Sequence, residues 1–135
     1  MAGEKERELQ KLALEMNYYR TQAEQLQQQS SALRGLAQEN RSSKEALEKI
    51  SESETLFPLG SGAFIKAKPS SKKVLVEIGA GVTVEKTLDE AKKTLDERHE
   101  QLLKALDSIQ DSLAQLNSRL MALGDQAEKL EERRA

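Results

Sequence analysis

The sequence predicts an α+β chain: a long antiparallel coiled-coil helical hairpin with two β-hairpins at the connecting end, oligomerising through the strands. Apolar residues recur at alternating steps of three and four at both ends of the chain, and the period drops to two between them. The two heptad stretches are also nearly equal in length, as a helix folded back on its partner requires. The whole of residues 1–135 reads as one subunit, with a first coiled-coil helix over 5–51, two β-hairpins over 55–86 and a second coiled-coil helix over 87–133.

In the first helix the repeat runs Leu9, Leu12, Met16, Tyr19, Ala23, Leu26, Ser30, Leu33, Ala37, Asn40, Lys44 and Leu47, a seam sustained over more than five heptads. Gln27-Gln-Gln-Ser-Ser31 reads as a solvated face of this helix, because Leu26 and Leu33 carry the heptad through it. The second helix opens at Thr87-Leu-Asp-Glu90, a capping box in which the threonine hydroxyl and the glutamate carboxylate each satisfy one free backbone N–H. Its seam begins Leu88, Ala91, Leu95 and continues His99, Leu102, Leu106, Ile109, Leu113, Leu116, Leu120, Leu123, Ala127, Leu130. Two successive steps of four meet at Leu95, a stutter that locally unwinds the supercoil.

Between the helices, Thr55–Leu59 and Ala63–Ala67 flank Gly60-Ser-Gly62, and Val74–Ile78 and Val82–Lys86 flank Gly79-Ala-Gly81. Each pair reads as a β-hairpin. A lone piece of sheet leaves unpaired edges, and Pro58 suits an edge or strand end. The hairpins are therefore expected to pair with other subunits through Phe57, Phe64, Ile65, Val74, Val76, Ile78, Val82 and Val84.

Folding the helices back antiparallel in one register sets Leu9 opposite Leu130, Met16 opposite Leu123, Tyr19 opposite Leu120 and Ala37 opposite Leu102. Small residues then repeatedly face large ones, which suits interdigitating layers. The same register joins the polar seam residues Asn40 and His99 in one layer and reads as a register lock.

Composition narrows the function. Of 135 residues 33% are charged, 37% hydrophobic and 3% aromatic, too polar for a self-contained globular core, so the apolar groups must be buried along seams or against partners. Residues 1–54 carry 8 basic and 10 acidic groups, 55–87 carry 5 and 2, and 88–135 carry 8 and 11, so no strongly basic face points to nucleic acid. Lysines 66, 68, 72, 73 and 86 form a mild basic patch that a solvated sheet rim explains. With no cysteine and a single histidine, thiolate and histidine metal sites are not expected, and no nucleophile dyad or acid–base pair can be assembled. The glycine loops lack the Gly-Lys-Ser/Thr of a phosphate-binding loop. No catalytic residue, cofactor, metal or nucleic-acid partner is expected. A polar N-terminus and the absence of an apolar run near the ~20 residues of a membrane span read as cytoplasmic, without a membrane partner.

The connector carries a resemblance. Leu56-Phe-Pro-Leu-Gly-Ser-Gly-Ala-Phe-Ile-Lys-Ala67 in the first hairpin and Val76-Glu-Ile-Gly-Ala-Gly-Val-Thr-Val-Glu-Lys86 in the second, set between two heptad helices, resemble an α-class subunit of the prefoldin family, closest to the archaeal type. Two hairpins, where the β class has one, decide the class. The resemblance implies a hexamer of two α and four β subunits, a double β-barrel platform built from the hairpins, and coiled-coil arms that hold unfolded client at their far ends. It also implies an ATP-independent holdase that delivers client to a cytosolic chaperonin. On the register above, Leu9, Leu12, Leu14, Met16, Leu120, Met121, Leu123 and Leu130 lie near such an end, with Leu14 and Met121 off the seam and partly exposed. Gly124, inside the helix, favours local loosening there. The competing expectation is a structural coiled-coil scaffold or filament-forming relative that uses the same hairpins for assembly but captures no client.

Overall fold

The computed structural model of the chain describes residues 2–50 and 54–133. The elements follow one another as α1 (Ala2–Lys49), β1 (Thr55–Gly60), β2 (Ala63–Ala67), β3 (Val74–Gly79), β4 (Val82–Lys86) and α2 (Leu88–Glu132). The α+β hairpin architecture read from the sequence is the one observed. Helix α1 starts before residue 5, and its expected end at residue 51 lies outside the described residues. Thr87 is the cap of α2 and not its first helical residue. Glu90 N donates to Thr87 Oγ1 at 3.2 Å, and Thr87 N donates to Glu90 Oε2 at 3.4 Å, the reciprocal pair of a capping box.

The strands form two separate two-stranded antiparallel sheets, β1–β2 and β3–β4. Both hairpins turn in the same way. Gly60 pairs with Ala63 and Gly79 with Val82, so each glycine belongs to its strand, and an irregularity between Pro58 and Gly60, or between Glu77 and Gly79, inserts an extra residue into the leading strand. The turn proper is Ser61-Gly62 or Ala80-Gly81, with φ of 51° and 78° in the first and 50° and 75° in the second. Two successive positive φ values are those of a type I′ turn, whose twist matches that of the flanking strands.

The chain divides into two compact units, each considered by itself. In the unit of residues 37–101, Leu47, Val76, Ala91 and Leu95 form the core, with Val74 and Leu88 packed against it. Ala91 is 0% exposed within this cluster, which joins β3 to α1 and α2. The alternation of β3 follows from this docking: Val74 and Val76 point at the helices while Leu75 stays exposed. Arg98 Nη2 donates to the carbonyl oxygen of Glu77 and ties α2 to the irregular turn of β3. In the unit of residues 1–36 and 102–135, the early part of α1 lies against the late part of α2. Leu9, Leu12, Met16, Tyr19, Ala23, Leu26 and Leu33 are half-buried and Ser30 is buried, so every α1 seam position there is covered in part, and of the expected solvated stretch 27–31 Ser30 departs because its seam position turns it inward. Among the α2 residues of this unit, Leu123 is covered most completely, at 2% exposed.

Candidate functional site

Two surfaces carry the residues singled out from the sequence, one in each unit. In the unit of residues 37–101 it is the hairpin surface. Phe57, Phe64, Ile65, Ile78, Val82 and Val84 are exposed, and so are Leu56, Leu59 and Leu75, which pattern reading did not select. Cross-strand partners share a face, so Phe57 and Ile65 occupy one face of the first hairpin while Leu56, Pro58 and Phe64 occupy the other. That hairpin is apolar on both sides. A sheet apolar on both faces suits cover on both sides, which makes this hairpin a candidate interaction surface.

The second hairpin differs. One face carries Glu77 and Thr83 with Leu75 and Glu85, and the other carries Val76 paired with Val84. Val74 is half-buried and Val76 is 8% exposed, because the base of this face packs on the chain's own Leu47, Ala91 and Leu95. Val76 is thus committed within the chain, whereas Ile78 and Val82, nearer the turn, continue the same face into exposed surface.

The two polar seam residues also lie in this unit. Asn40 Nδ2 donates to the carbonyl oxygen of Leu95 at 2.7 Å, while His99 Nδ1 is buried without a hydrogen-bond partner among the described residues. The Asn40 amide therefore engages the α2 backbone one helical turn before His99. One turn further along α1, Lys44 Nζ meets Asp96 Oδ1 at 2.6 Å. This contact raises the lysine pKa above 10.5, first through the hydrogen bond to the carboxylate and then through its charge.

The second surface belongs to the unit of residues 1–36 and 102–135. Leu9, Leu12, Met16, Leu120 and Leu130 are half-buried and Leu123 is buried, whereas Leu14 and Met121 are 72% and 73% exposed. Leu12, Leu123 and Leu130 floor a cleft of about 500 Å³ rimmed by Glu8, Lys11, Glu15, Arg119, Gln126, Lys129 and Arg133. If Leu9 and Leu120 are taken as heptad position a, every residue of this cleft falls at d, g or c. Antiparallel pairing sets these flanks of the two helices side by side, so the cleft follows one flank of the seam. The rim charges were legible as g and c positions, although their composition resembles any solvated helix face. At one end of the cleft the Arg119 guanidinium lies 6.0 Å from the centroid of the Tyr19 ring, a cation–π contact one residue from the expected Tyr19–Leu120 layer. Tyr18 packs edge-on against Tyr19 with centroids 5.5 Å apart, and its hydroxyl accepts a 2.8 Å hydrogen bond from Gln22 Nε2.

Among the described residues no group of three or more His, Asp or Glu side chains is placed to hold a metal ion. No helix among them is long and apolar enough to cross a membrane.

Comparison with known proteins gives the lineage. The family model described as prefoldin subunit matches residues 19–133. The prefoldin subunit alpha of Pyrococcus horikoshii is 32% identical over 135 residues, covering 96% of this chain and 91% of that one. The prefoldin subunit alpha of Methanosarcina mazei is 31% identical over 135 residues, covering 92% and 93%. That of Methanosarcina barkeri is 42% identical over 80 residues, a match that spans 58% of this chain and a little over half, 56%, of its relative. Among solved structures, filamentous PFD from Methanocaldococcus jannaschii, determined by cryo-electron microscopy, has the same fold, with a TM-score of 0.54 at 21% identity over 90% of this chain and 99% of that one. The family match runs from Tyr19 in the α1 seam through both hairpins to Arg133 after α2, well over half of the chain, and the chain belongs to the prefoldin family.

Proposed function

We propose that this chain is the α-class subunit of an ATP-independent holdase, which captures non-native polypeptide and passes it to a cytosolic chaperonin without catalysing a reaction. In this reading two copies join four β-class subunits through the hairpins, and the unit of residues 1–36 and 102–135, with its cleft and its exposed Leu14 and Met121, holds the client. The supporting observation is the exposure of Leu14 and Met121, at 72% and 73%, in the unit that holds the leucine-floored cleft. No seam position needs either side chain, so their apolar area is available to a partner. A fully buried leucine or methionine contributes about 1.5–3 kcal/mol, and partial burial gives less, so one such surface holds weakly. Several on one assembly make the later contacts intramolecular, at effective concentrations that reach about millimolar. Assembly through the hairpins is therefore part of the function.

The test is suppression of aggregation of a chemically denatured protein by the purified complex. It should be strong for the parent complex and lost in Ile65→Asp, because a charge on the apolar face of the first hairpin opposes its burial against another subunit. Circular dichroism of Ile65→Asp should keep its helical signal. Undiminished capture by a variant that remains monomeric would overturn the proposal.

The second reading, a filament-forming or scaffold protein without client capture, is favoured by the filamentous assembly of the fold relative from Methanocaldococcus jannaschii. Native mass with and without a β-class partner separates the two: a discrete hexamer supports the first, and open-ended growth of the chain alone supports the second.

A further inference from the structure

The cleft has a charge balance opposite to that of the chain around it. The chain is net acidic, at −2, whereas the rim sets Lys11, Arg119, Lys129 and Arg133 against Glu8 and Glu15. Lys11, Lys129 and Arg133 form no ion pair among the described residues, so their charges are not spent on neighbouring carboxylates. Arg119 is the exception, with its guanidinium over the Tyr19 ring. The floor beneath these groups is leucine. An apolar floor takes an aliphatic or aromatic side chain with little regard to which one. A cationic rim discriminates by what stands next to that side chain.

We propose that this cleft selects, among unfolded segments, those in which an apolar side chain is flanked by aspartate or glutamate. The inference rests on the capture reading above and names the client chemistry of that site. A segment flanked by lysine brings like charge to the rim and is disfavoured, so the selection has both an attractive and a repulsive side. The charged groups are exposed, so the preference weakens as salt shortens the Debye length from about 30 Å at 0.01 M to about 8 Å at 0.15 M.

The test uses the full chain and two fluorescein-labelled peptides of about a dozen residues with a common Leu-Phe-Leu centre, one flanked by glutamates and the other by lysines. By fluorescence anisotropy at low salt the glutamate peptide should bind about fivefold or more tightly, the order that two or three exposed ion pairs give, and the gap should narrow as salt rises. Lys11→Gln with Lys129→Gln should erase the preference, and Lys11→Glu with Lys129→Glu should reverse it. Both lysines are exposed and off the seam, so helical content should not change. Equal binding of the two peptides, tighter binding of the lysine peptide, or a preference that survives in the glutamine variant would overturn the proposal, as would failure of both peptides to bind. Capture of a denatured protein is measured alongside. Capture that persists without a charge preference sinks this inference alone, whereas loss of capture sinks the reading beneath it as well.

Discussion

The side-chain amide of Asn40 donates a 2.7 Å hydrogen bond to the carbonyl oxygen of Leu95, the residue at which the α2 seam takes its second consecutive step of four. At a stutter the knobs of one helix no longer fall squarely into the holes of the other, and a polar side chain that reaches the facing backbone suits the altered spacing. In an α-helix the Leu95 carbonyl also accepts from the N–H four residues on, so it keeps a partner if Asn40 is replaced. Asn40→Leu is therefore expected to hold or raise the melting temperature. Asn40→Asp should lower stability by about 1–3 kcal/mol, because a carboxylate facing a carbonyl oxygen offers two acceptors and no donor. The cost of Asn40→Leu should appear in uniqueness. The chain has no cysteine, so Met16→Cys with Leu123→Cys gives a clean crosslink in the expected register, and its yield should drop when Asn40→Leu is added. An unchanged yield would remove Asn40 from any role in alignment.

Lys44 and Asp96 give the stability a pH dependence whose sign is fixed. The folded chain raises the Lys44 pKa above 10.5 through the hydrogen bond and charge of Asp96. A group with a raised pKa contributes stability that is complete below its unfolded value and is lost as pH rises through the folded one. The expected loss therefore lies on the alkaline side, from about pH 10.5 upward. Lys44→Met should flatten that part of the curve of melting temperature against pH relative to the parent. Curves that stay parallel through the alkaline range would show that the pair carries no linkage.

The hairpin turns hold a stabilisation that the sequence leaves unused. Ser61 and Ala80 adopt φ of 51° and 50°, a left-handed conformation that costs an ordinary residue about 1–2 kcal/mol. Asparagine tolerates it better and, followed by glycine, is the favoured pair of a type I′ turn. Ala80→Asn is expected to raise hairpin stability by up to about 1 kcal/mol, read as a higher melting temperature of the chain. Gly81→Val should lower it, since a β-branched residue would have to adopt the glycine's φ of 75°.

Which parts of this were legible in the sequence follows from how far each signal reaches. The seam is a local periodicity, and from Leu9 to Leu47 its α1 positions are all at least half-buried. The Thr87–Glu90 cap and the placement of both hairpins are equally local. The unequal fates of Val76 and Ile78 were not legible, because both lie on the same apolar face of β3 and only docking on Ala91 and Leu95 separates them. The exposure of Leu56, Leu59 and Leu75 was not legible either, because an apolar residue in a short strand carries no local mark of whether its face docks on the chain or stays open. The bond from Arg98 to the Glu77 carbonyl crosses from helix to turn and leaves no trace in any period. The cleft needed both helices at once: its rim charges become a set only when the g and c positions of α1 and α2 stand side by side.

The last prediction concerns capture, and it turns on Leu14 and Met121. Both are exposed while Leu12 and Leu123, near them in sequence, are covered in the seam, so the outer pair can be changed without opening a layer. Leu14→Ser with Met121→Ser should leave helical content and native mass unaltered and weaken capture of a denatured protein. Each replacement removes apolar area offered to client, and the loss should appear mainly as faster release, because one contact among several is withdrawn. Gly124→Ala supplies the complementary arm. A Cβ at Gly124 would meet nothing within 4 Å, so the substitution should stabilise α2 by up to about 1 kcal/mol through helix propensity alone. If local loosening of α2 exposes seam leucines to client, Gly124→Ala should raise the melting temperature and slow capture together. If capture depends on Leu14 and Met121 as they already stand, Gly124→Ala should raise the melting temperature and leave capture unchanged. Should the doubly substituted chain assemble normally and hold client as well as the parent, this surface is not where client binds, and the scaffold reading gains.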